Sequence, residues 1–318
     1  MAESNTIPLI AVVGPTASGK TSLAVDICEK IGGEAVSCDS MQIYKGMDIA
    51  TAKPSADEMR GIPHHLIGFL EPDEPFSVAK YCEAAKAAIN DIVSRGKKAV
   101  LVGGTGLYYS SLVDNIEFLH EETDFEYREE LKKRAETEGA QVLLDELYKA
   151  DPATAAELHV NNLGRIIRAL EICRTTGKTK TLQNELSRKN PSPFKVTAIC
   201  LDARDRQFLY NRINKRVDIM LESGLLQEAE KFFNSSLGAT ARQAIGYKEF
   251  YPYFCGEKSL EECVDCLKMQ TRRYAKRQLT WFRRDERMNF LYIDEYKNSG
   301  ELLDAAMEII ERGSVNEK

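Results

Sequence analysis

Continuous apolar runs and amphipathic segments alternate along the first third of the chain. Apolar residues run without interruption through Ile7–Val13, and shorter, mostly apolar strand patterns follow at 34–38 and 98–102. A continuous apolar run of this length is typical of a strand that is buried on both faces, as in a parallel sheet. The segments 22–31 and 77–95 have the period of helices. This order of strand, helix, strand, helix and strand predicts an α/β fold with a doubly wound parallel sheet.

The middle of the chain has a different pattern. From about residue 115 to 193, charged helix-forming segments dominate and strand patterns are missing, which indicates a helical insertion. A continuous apolar strand pattern returns at 195–201. Beyond it we expect mainly helices, including one over 209–226 and a basic one over 268–284.

Glycine and proline mark the segment 61–66, which we predict to be a loop. Near the end of the chain, 289–293 is predicted to be an edge strand, and a closing helix follows from about residue 299. The predicted organisation therefore has three parts: a core (1–114), a helical insertion domain (115–193), and a second part of the core with basic C-terminal helices (194–318).

Composition narrows the class of protein. Of the 318 residues, 43% are hydrophobic and 29% are charged, as in soluble globular proteins. No apolar run approaches the roughly 20 residues of a membrane-spanning helix, and the N-terminus lacks the features of a secretory signal. The eight cysteines form no tight framework, and Cys263 and Cys266 are more simply explained as two thiols on a helix than as a zinc or redox site. We expect a cytoplasmic monomer without a membrane partner.

The stretch between the first strand and the first helix carries a phosphate-binding motif. It reads Gly14-Pro15-Thr16-Ala17-Ser18-Gly19-Lys20-Thr21, which is G-x-x-x-x-G-K-[ST] in the setting that the motif requires. The backbone N–H groups of such a loop, with the helix dipole behind them, form a concave site for phosphate oxygens. Lys20 would reach the terminal phosphates, and the Thr21 hydroxyl would ligate Mg²⁺. An ordinary glycine-rich turn is the alternative, which the flanking strand and helix disfavour.

A carboxylate follows the second predicted strand. Ligands gather at the carboxyl ends of strands in open α/β sheets, so Asp39 would lie near the phosphate loop. The strand 98–102, by contrast, ends in glycines and not in the Asp or Glu that holds magnesium in the usual ATPases. This absence weakens the hypothesis of a motor or switch NTPase and favours group transfer. Asp39 would assist the metal or act as a base on the acceptor; a helix N-cap is the alternative.

The charge distribution bears on possible partners. A net charge of −6 argues against nucleic acid, but the segment 268–287 is strongly basic and contains Tyr274 and Trp281. A local basic patch with aromatic residues favours RNA contact over a merely solvated face. Its eight basic residues are Lys268, Arg272, Arg273, Lys276, Arg277, Arg283, Arg284 and Arg287.

Eight elements of this sequence occur in the same order in tRNA dimethylallyltransferases, and the chain resembles the compact bacterial form of that family over roughly residues 7–284. The elements are the phosphate loop, Asp39-Ser40-Met41-Gln42-Ile43-Tyr44, Gly46-Met47-Asp48-Ile49-Ala50-Thr51-Ala52-Lys53-Pro54, Pro63-His64-His65-Leu66, Gly103-Gly104-Thr105-Gly106-Leu107-Tyr108, Arg165-Ile166-Ile167-Arg168-Ala169-Leu170-Glu171, Ile245-Gly246-Tyr247 and Lys276-Arg277-Gln278-x-Thr280-Trp281.

The resemblance implies a P-loop NTPase-like fold and a specific reaction. A dimethylallyl group would move from dimethylallyl diphosphate to the exocyclic N6 amine of the adenine 3′ of the anticodon in tRNA, with release of diphosphate and with Mg²⁺ as cofactor. The implied catalytic residues are Asp39 as acceptor of the amine proton, with Arg216 and Thr105 beside the diphosphate. The implied diphosphate-binding residues are Gly14, Thr16, Ala17, Ser18, Gly19, Lys20 and Thr21.

The expected partner is the tRNA anticodon stem-loop. Contacts with it are expected from Asp39, Ser40, Met41, Gln42, Arg165, Arg168, Arg242, Gly246, Tyr247, Arg272, Lys276 and Arg277. One departure concerns the insertion, where many relatives have Asn-Asp-x-Gln-Arg and this chain has Gly164 in place of the glutamine.

Three other functions are compatible with parts of the sequence. Prenylation of free AMP, ADP or ATP needs neither the insertion nor the basic helix. A small-molecule kinase shares the loop and the sheet but uses ATP as donor. An RNA-binding module with a vestigial loop is disfavoured by the intact Lys20, Thr21 and Asp39.

Overall fold

The structure, a computed structural model, describes residues 6–118, 124–188, 190–235, 237–238 and 240–315. The strands are β1 (Ile7–Val13), β2 (Gly33–Ser37), β3 (His64–His65), β4 (Lys98–Gly103), β5 (Phe194–Asp202) and β6 (Met288–Tyr292). They form one sheet in the order β3-β2-β4-β1-β5-β6, and every neighbouring pair is parallel. The predicted parallel α/β sheet is confirmed.

The helices account for most of the remaining described residues. They are α1 (Lys20–Ile31), α2 (Ala56–Met59), α3 (Val78–Ser94), α4 (Gly106–Val113), α5 (Phe125–Glu138), α6 (Ala140–Ala150), α7 (Pro152–Ala156), α8 (Leu163–Thr176), α9 (Lys180–Ser187), α10 (Arg206–Glu222), α11 (Leu225–Phe233), α12 (Tyr251–Phe254), α13 (Leu260–Phe282) and α14 (Ser299–Val315). Single 3₁₀ turns lie at Ala241–Gln243 and Lys248–Phe250. None of the helices within these described ranges is long and apolar enough to cross a bilayer.

The sheet is covered on both faces. Consecutive residues of β1, Ala11 to Val13, are each 0% exposed. Since alternate residues of a strand point to opposite faces, helices must shield both sides. On one face, Leu23 and Ile27 of α1 and Ile310 of α14 pack in a single apolar cluster with side chains of the central strands. This explains why the strands are continuous apolar runs.

Three elements differ from their predictions. The predicted loop at 61–66 contains the short edge strand β3, which pairs with β2. The helix predicted over 209–226 is two helices, because Gly224 adopts the left-handed conformation between α10 and α11. The basic helix begins at Leu260, eight residues before the predicted start at 268. Ser259 and Glu262 form a capping box at this N-terminus.

The chain divides into two compact units. One comprises the chain up to Val113 and from Ser192 onward, and the other is Asp114–Pro191. Within the described residues, the second unit consists of helices α5 to α9 and has its own apolar core. Leu131, Leu143, Leu147 and Ile166 are each 0% exposed in that core.

Candidate active site

The phosphate-loop motif lies between β1 and α1, as predicted. Lys20 is the first residue of α1, and its Nζ donates to the carbonyl of Pro15 at 3.3 Å. Burial, and after it the nearby Arg216, lowers the pKa of Lys20 to about 8, although Asp39 acts in the opposite direction. The ammonium therefore lies in a site that lacks enough negative charge to stabilise it. Such a site is suited to an anionic ligand.

The loop opens into a cavity of about 470 Å³ within the first unit. Polar residues line one part of this pocket: Thr16, Lys20, Thr21, Asp39 and Arg216. Apolar residues of α10, α11 and α13, and one residue between α11 and α12, line another part. They are Ile213, Val217, Met220, Leu225, Ile245 and Leu267. The pocket can therefore take a ligand that has an anionic group and an apolar group.

Asp39 lies just beyond the end of β2 and lines the pocket. Its Oδ1 accepts hydrogen bonds from the backbone N–H groups of Met41 at 2.9 Å and Gln42 at 3.4 Å. These bonds fix a turn of the kind that aspartate favours. Residues 40–43 do not form a helix, so the N-cap alternative is wrong. The carboxylate is held at the edge of the sheet and faces the ligand space.

Two arginines of α10 differ in their surroundings. The Nε of Arg212 donates to the carbonyl of Ala17 at 2.8 Å and so supports the phosphate loop from outside. Arg216 lines the pocket and forms no ion pair or hydrogen bond with any described residue. Burial lowers the pKa of Arg216 and Arg212 adds to this effect, while the carboxylates of Glu58 and Asp39 oppose it without cancelling it. Arg216 is therefore the arginine that is placed to bind an anion.

Thr105 lies behind the residues that line the pocket. The N–H of Ser40 donates to Thr105 Oγ1 at 3.0 Å, and the N–H of Thr105 donates to the carbonyl of Cys38 at 3.1 Å. Ser40 lines the pocket, whereas Thr105 does not. This geometry favours a role for Thr105 in positioning Ser40 over direct contact with a ligand.

Gln278 of α13 was not predicted, yet it joins two loops of the site. Its Oε1 accepts from the N–H of Thr16 at 3.0 Å, and its Nε2 donates to the carbonyl of Gly104 at 2.9 Å. A Cβ at Gly104 would lie 2.2 Å from Nε2, so this close approach requires glycine. Gln278 belongs to the motif that also contains Lys276 and Arg277, but its role depends on packing that no local pattern reveals.

The structure places only some of the predicted tRNA contacts around the pocket. Those that line it are Asp39, Ser40, Met41, Gln42, Gly246 and Arg277. The side chain of Gln42 also donates to the carbonyls of Thr51 and Ala52.

Other predicted contacts have internal partners. Tyr247 is only 1% exposed, and its hydroxyl donates to Glu228 at 2.8 Å, so its side chain is not accessible to RNA. Arg242 donates to the carbonyl of Leu237 at 3.2 Å.

In the second unit, the two predicted arginines of α8 differ. Arg168 Nη1 lies 2.6 Å from Glu171, a carboxylate that is 0% exposed and also pairs with Arg128. Burial would raise the pKa of Glu171, but the hydrogen bonds from Arg128 and Arg168 outweigh it and lower the pKa. Arg165 is exposed and has no ion-pair partner among the described residues. Arg168 therefore has a structural role at least in part.

The basic helix carries two kinds of cation. Lys268 pairs with Asp218 at 2.6 Å, and Arg272 donates to Asn214 at 2.7 Å. Close to the helix end, two more basic residues have carboxylate partners, Arg283 with Asp202 and Arg287 with Asp285. Within the basic segment 268–287, the exposed cations that form no ion pair with a described residue are Arg273, Lys276, Arg277 and Arg284. Trp281, on the same helix, is 37% exposed. The basic face is therefore smaller than the sequence predicts.

The fold and the pocket define an α/β protein with a ligand site at the carboxyl edge of a parallel sheet. A family model described as IPP transferase matches residues 42–285, and the chain belongs to this family of transferases. The resemblance found in the sequence is thereby confirmed.

Curated and solved relatives agree with this assignment. The chain is 47% identical over 300 residues to a tRNA dimethylallyltransferase of Thermoanaerobacter sp. (strain X514), with 93% of this chain and 95% of the relative covered. A full-length tRNA isopentenylpyrophosphate transferase from Bacillus halodurans matches with a TM-score of 0.71 at 43% identity, covering 98% of this chain and 99% of that one. A eukaryotic dimethylallyltransferase acting on tRNA matches with a TM-score of 0.76 at 30% identity, covering 91% and 74%.

Proposed function

We propose that this chain transfers a dimethylallyl group from dimethylallyl diphosphate to the exocyclic N6 amine of the adenine 3′ of the anticodon in tRNA, releasing diphosphate. The observation that carries the proposal is that one pocket joins two unpaired cations and a carboxylate to an apolar wall. A prenyl diphosphate has this combination of charge and hydrophobicity. The names of the relatives point to the same reaction.

The phosphate loop, as in a P-loop fold, binds the diphosphate of the donor. The residues that bind it are the loop residues Gly14 and Thr16 to Thr21, and Arg216. Negative charge builds on the diphosphate as the allylic C–O bond breaks. Lys20, Arg216 and the loop N–H groups stabilise that charge because they are fixed in place before the reaction begins.

Asp39 acts on the acceptor. An aromatic amine is a weak nucleophile, and a carboxylate that accepts its proton contributes about 10²–10⁴-fold to the rate. The adenine must leave its stack to reach a carboxylate that lines a pocket, as in other base-modifying enzymes. Thr105 holds Ser40 beside Asp39 through the hydrogen bond described above.

Magnesium fits the donor atoms that the pocket offers. The hydroxyl of Thr21 is a hard oxygen donor beside the proposed diphosphate site, and it is the ligand that we assign. No cluster of three or more His, Cys, Asp or Glu side chains that could hold a metal occurs among the described residues. This agrees with an ion held by one or two protein groups and by substrate phosphates. When bound, Mg²⁺ supplies further positive charge for the leaving diphosphate.

The tRNA binds through its backbone to basic surfaces. On α13 and just beyond its end, these surfaces consist of Arg273, Lys276, Arg277 and Arg284, with Trp281 available for stacking. The helical insertion, 115–193, acts as a clamp on the anticodon stem-loop, and Arg165 contributes from there. Contacts of this kind position the RNA, while the pocket selects the base.

The test offers radiolabelled dimethylallyl diphosphate and Mg²⁺ in parallel to unmodified bulk tRNA and to AMP. Label in acid-precipitable RNA and none in AMP is the expected result. Label in AMP alone would instead assign prenylation of free nucleotides. A parallel reaction with γ-labelled ATP and no prenyl donor tests for a kinase, which the proposal expects to be inactive.

A further inference from the structure

One wall of the pocket is formed by the residues 48–54, named here the wall segment. Ala50, Thr51, Ala52 and Pro54 line the pocket from this segment. It is an irregular stretch between β2 and α2, so its position depends on contacts with other parts of the chain.

A single carboxylate fixes the first half of the wall segment. Glu228 Oε2 accepts the backbone N–H groups of Asp48 at 3.0 Å and Ile49 at 2.9 Å. Glu228 Oε1 accepts the N–H of Ala50 at 2.9 Å and the hydroxyl of Tyr247 at 2.8 Å. Four donors thus converge on the two oxygens. Charge-assisted hydrogen bonds of this kind are stronger than neutral ones.

Gly246 holds the wall segment from another direction. Its φ is +112°, and a Cβ built on it would lie 2.8 Å from the Cβ of Ala50, so the two backbones touch. The N–H of Gly246 donates to the buried Glu249 at 2.8 Å. Burial, and then the Glu228 carboxylate, raises the pKa of Tyr247, so its hydroxyl keeps the proton that it donates.

This arrangement borders the apolar part of the pocket. Leu225 and Val217, which line that part, are buried in the same apolar cluster as Tyr247, and Ile49 and Ala50 pack against the cluster. Any outward shift of the wall segment would therefore widen the apolar part of the pocket. The same shift would break the bonds to Glu228.

We propose that Glu228 is a positioning residue that sets the width of the apolar part of the pocket and thereby limits the length of the prenyl chain that is accepted. The proposal rests on the proposed function, because it takes a prenyl diphosphate as the ligand. The five-carbon dimethylallyl group fits beside a fixed wall segment, whereas the ten-carbon geranyl group requires the wall segment to move.

The test compares the Kd values of dimethylallyl diphosphate and geranyl diphosphate, measured by calorimetry with Mg²⁺ and without RNA. Glu228→Gln keeps the size of the side chain but replaces one acceptor oxygen by an NH₂ group that faces two of the four donors. We expect the preference for the shorter donor to fall about tenfold, chiefly through tighter binding of geranyl diphosphate, because the wall segment moves more easily once its bonds to residue 228 are weakened. Tyr247→Phe removes one of the four bonds and should shift the preference in the same direction by a smaller factor.

Glu230→Gln is the matched control, since it makes the same chemical change at an exposed position of α11. It should leave the preference unchanged. Equal weakening of both donors in Glu228→Gln, with a lower Tm, would show a merely structural role and overturn the proposal. A wild-type chain that binds neither donor would overturn it too. Donor binding without transfer to RNA would count against the proposed function alone.

Discussion

Strand β2 has a cluster of charged side chains near each end, and the two clusters differ in how their charges are paired. Near the amino end, Glu34 is 2% exposed and contacts Arg95 at 2.6 Å, Lys97 at 2.7 Å and His65 at 2.7 Å. Beyond the carboxyl end lie Asp39, Lys20 and Arg216. There Lys20 bonds only to a carbonyl, and Arg216 has no partner among the described residues.

The difference separates charges that stabilise the fold from charges that await a ligand. The hydrogen bond from Arg95 is the main reason that the pKa of Glu34 lies well below its usual range, and bonds from Lys97 and His65 add to it against the effect of burial. At the other end, burial is the main reason that the pKa of both Lys20 and Arg216 is lowered, and the nearby carboxylates of Asp39 and, for Arg216, Glu58 offset it only in part. A cation that is partly desolvated and unpaired gains most from a bound anion.

The largest effect is expected for Asp39→Asn, which tests whether the carboxyl-end cluster performs chemistry. The turnover number should fall by about 10²–10⁴-fold, because an amide cannot accept the amine proton. The asparagine Oδ1 can still accept the N–H groups of Met41 and Gln42, so donor binding and the fold should persist. Transfer of label to tRNA measures the rate, with the exposed Asp265→Asn as control. A rate within a few fold of wild type would remove Asp39 from the mechanism.

The second-largest effect is expected for Lys20→Met, which, with its control, compares a cation of the carboxyl-end cluster with one of the amino-end cluster. The Kd for inorganic diphosphate should rise roughly 10- to 100-fold, since a hydrogen bond to a charged group contributes about 1.5–3 kcal/mol. Lys97→Met is the control, because its ammonium is already paired with Glu34. Calorimetry measures both variants. Equal Kd values in the two variants would contradict the distinction between paired and unpaired cations.

A smaller effect is expected on α13, where the same distinction applies. Arg273→Ala combined with Arg277→Ala should reduce the slope of log K for tRNA against log salt by about 2, one for each lost cation. The control is Lys268→Ala combined with Arg272→Ala, which removes the same charge from residues that have partners. Binding titrations at several salt concentrations give both slopes, and identical slopes would refute the assignment of the RNA face.

For Glu34→Gln we expect no change in activity, which is the smallest effect of the series. The Tm of this variant should fall by about 2–6 °C. The folded-state pKa of Glu34 is lower than its ordinary value of 4.5. Its contribution to stability is therefore present above that value and is lost as the pH falls through the folded-state pKa. The difference in Tm between the variant and wild type should be constant above about pH 5 and shrink on further acidification. Loss of activity at neutral pH without a change in Tm would contradict this.

The order of strands and helices was predictable where the signal is local. The central strands are continuous apolar runs because helices cover both faces of the sheet. Strand β3 escaped prediction because it has two residues, His64 and His65, and exists only through pairing with β2. The break between α10 and α11 could not be predicted, because it depends on the left-handed conformation of Gly224. A glycine allows this conformation but does not require it. The start of α13 is marked in the sequence by Ser259 and Glu262, whereas the basic residues mark only its second half.

The candidate site was predictable to the extent that its residues lie in one motif. Lys20 and Thr21 follow from the phosphate loop, and Asp39 follows from its place at a strand end. Gln278 and Glu228 could not be predicted in the same way, because they act across long distances in sequence. Gln278 bonds to a residue 262 positions away, and Glu228 to one 180 positions away. Only packing between distant elements creates these contacts.

Helix α13 serves both proposed substrates. It has 23 residues, so it is about 34 Å long, and it carries the exposed cations on one side and Gln278 on the side that meets the phosphate loop. A substitution that tilts or slides this rod would disturb both surfaces at once. Affinity for the nucleic acid and affinity for the donor are therefore not independent traits for mutation to adjust. Substitutions of the outward-pointing side chains of the helix are the ones that can change the affinity for the nucleic acid without changing the affinity for the donor.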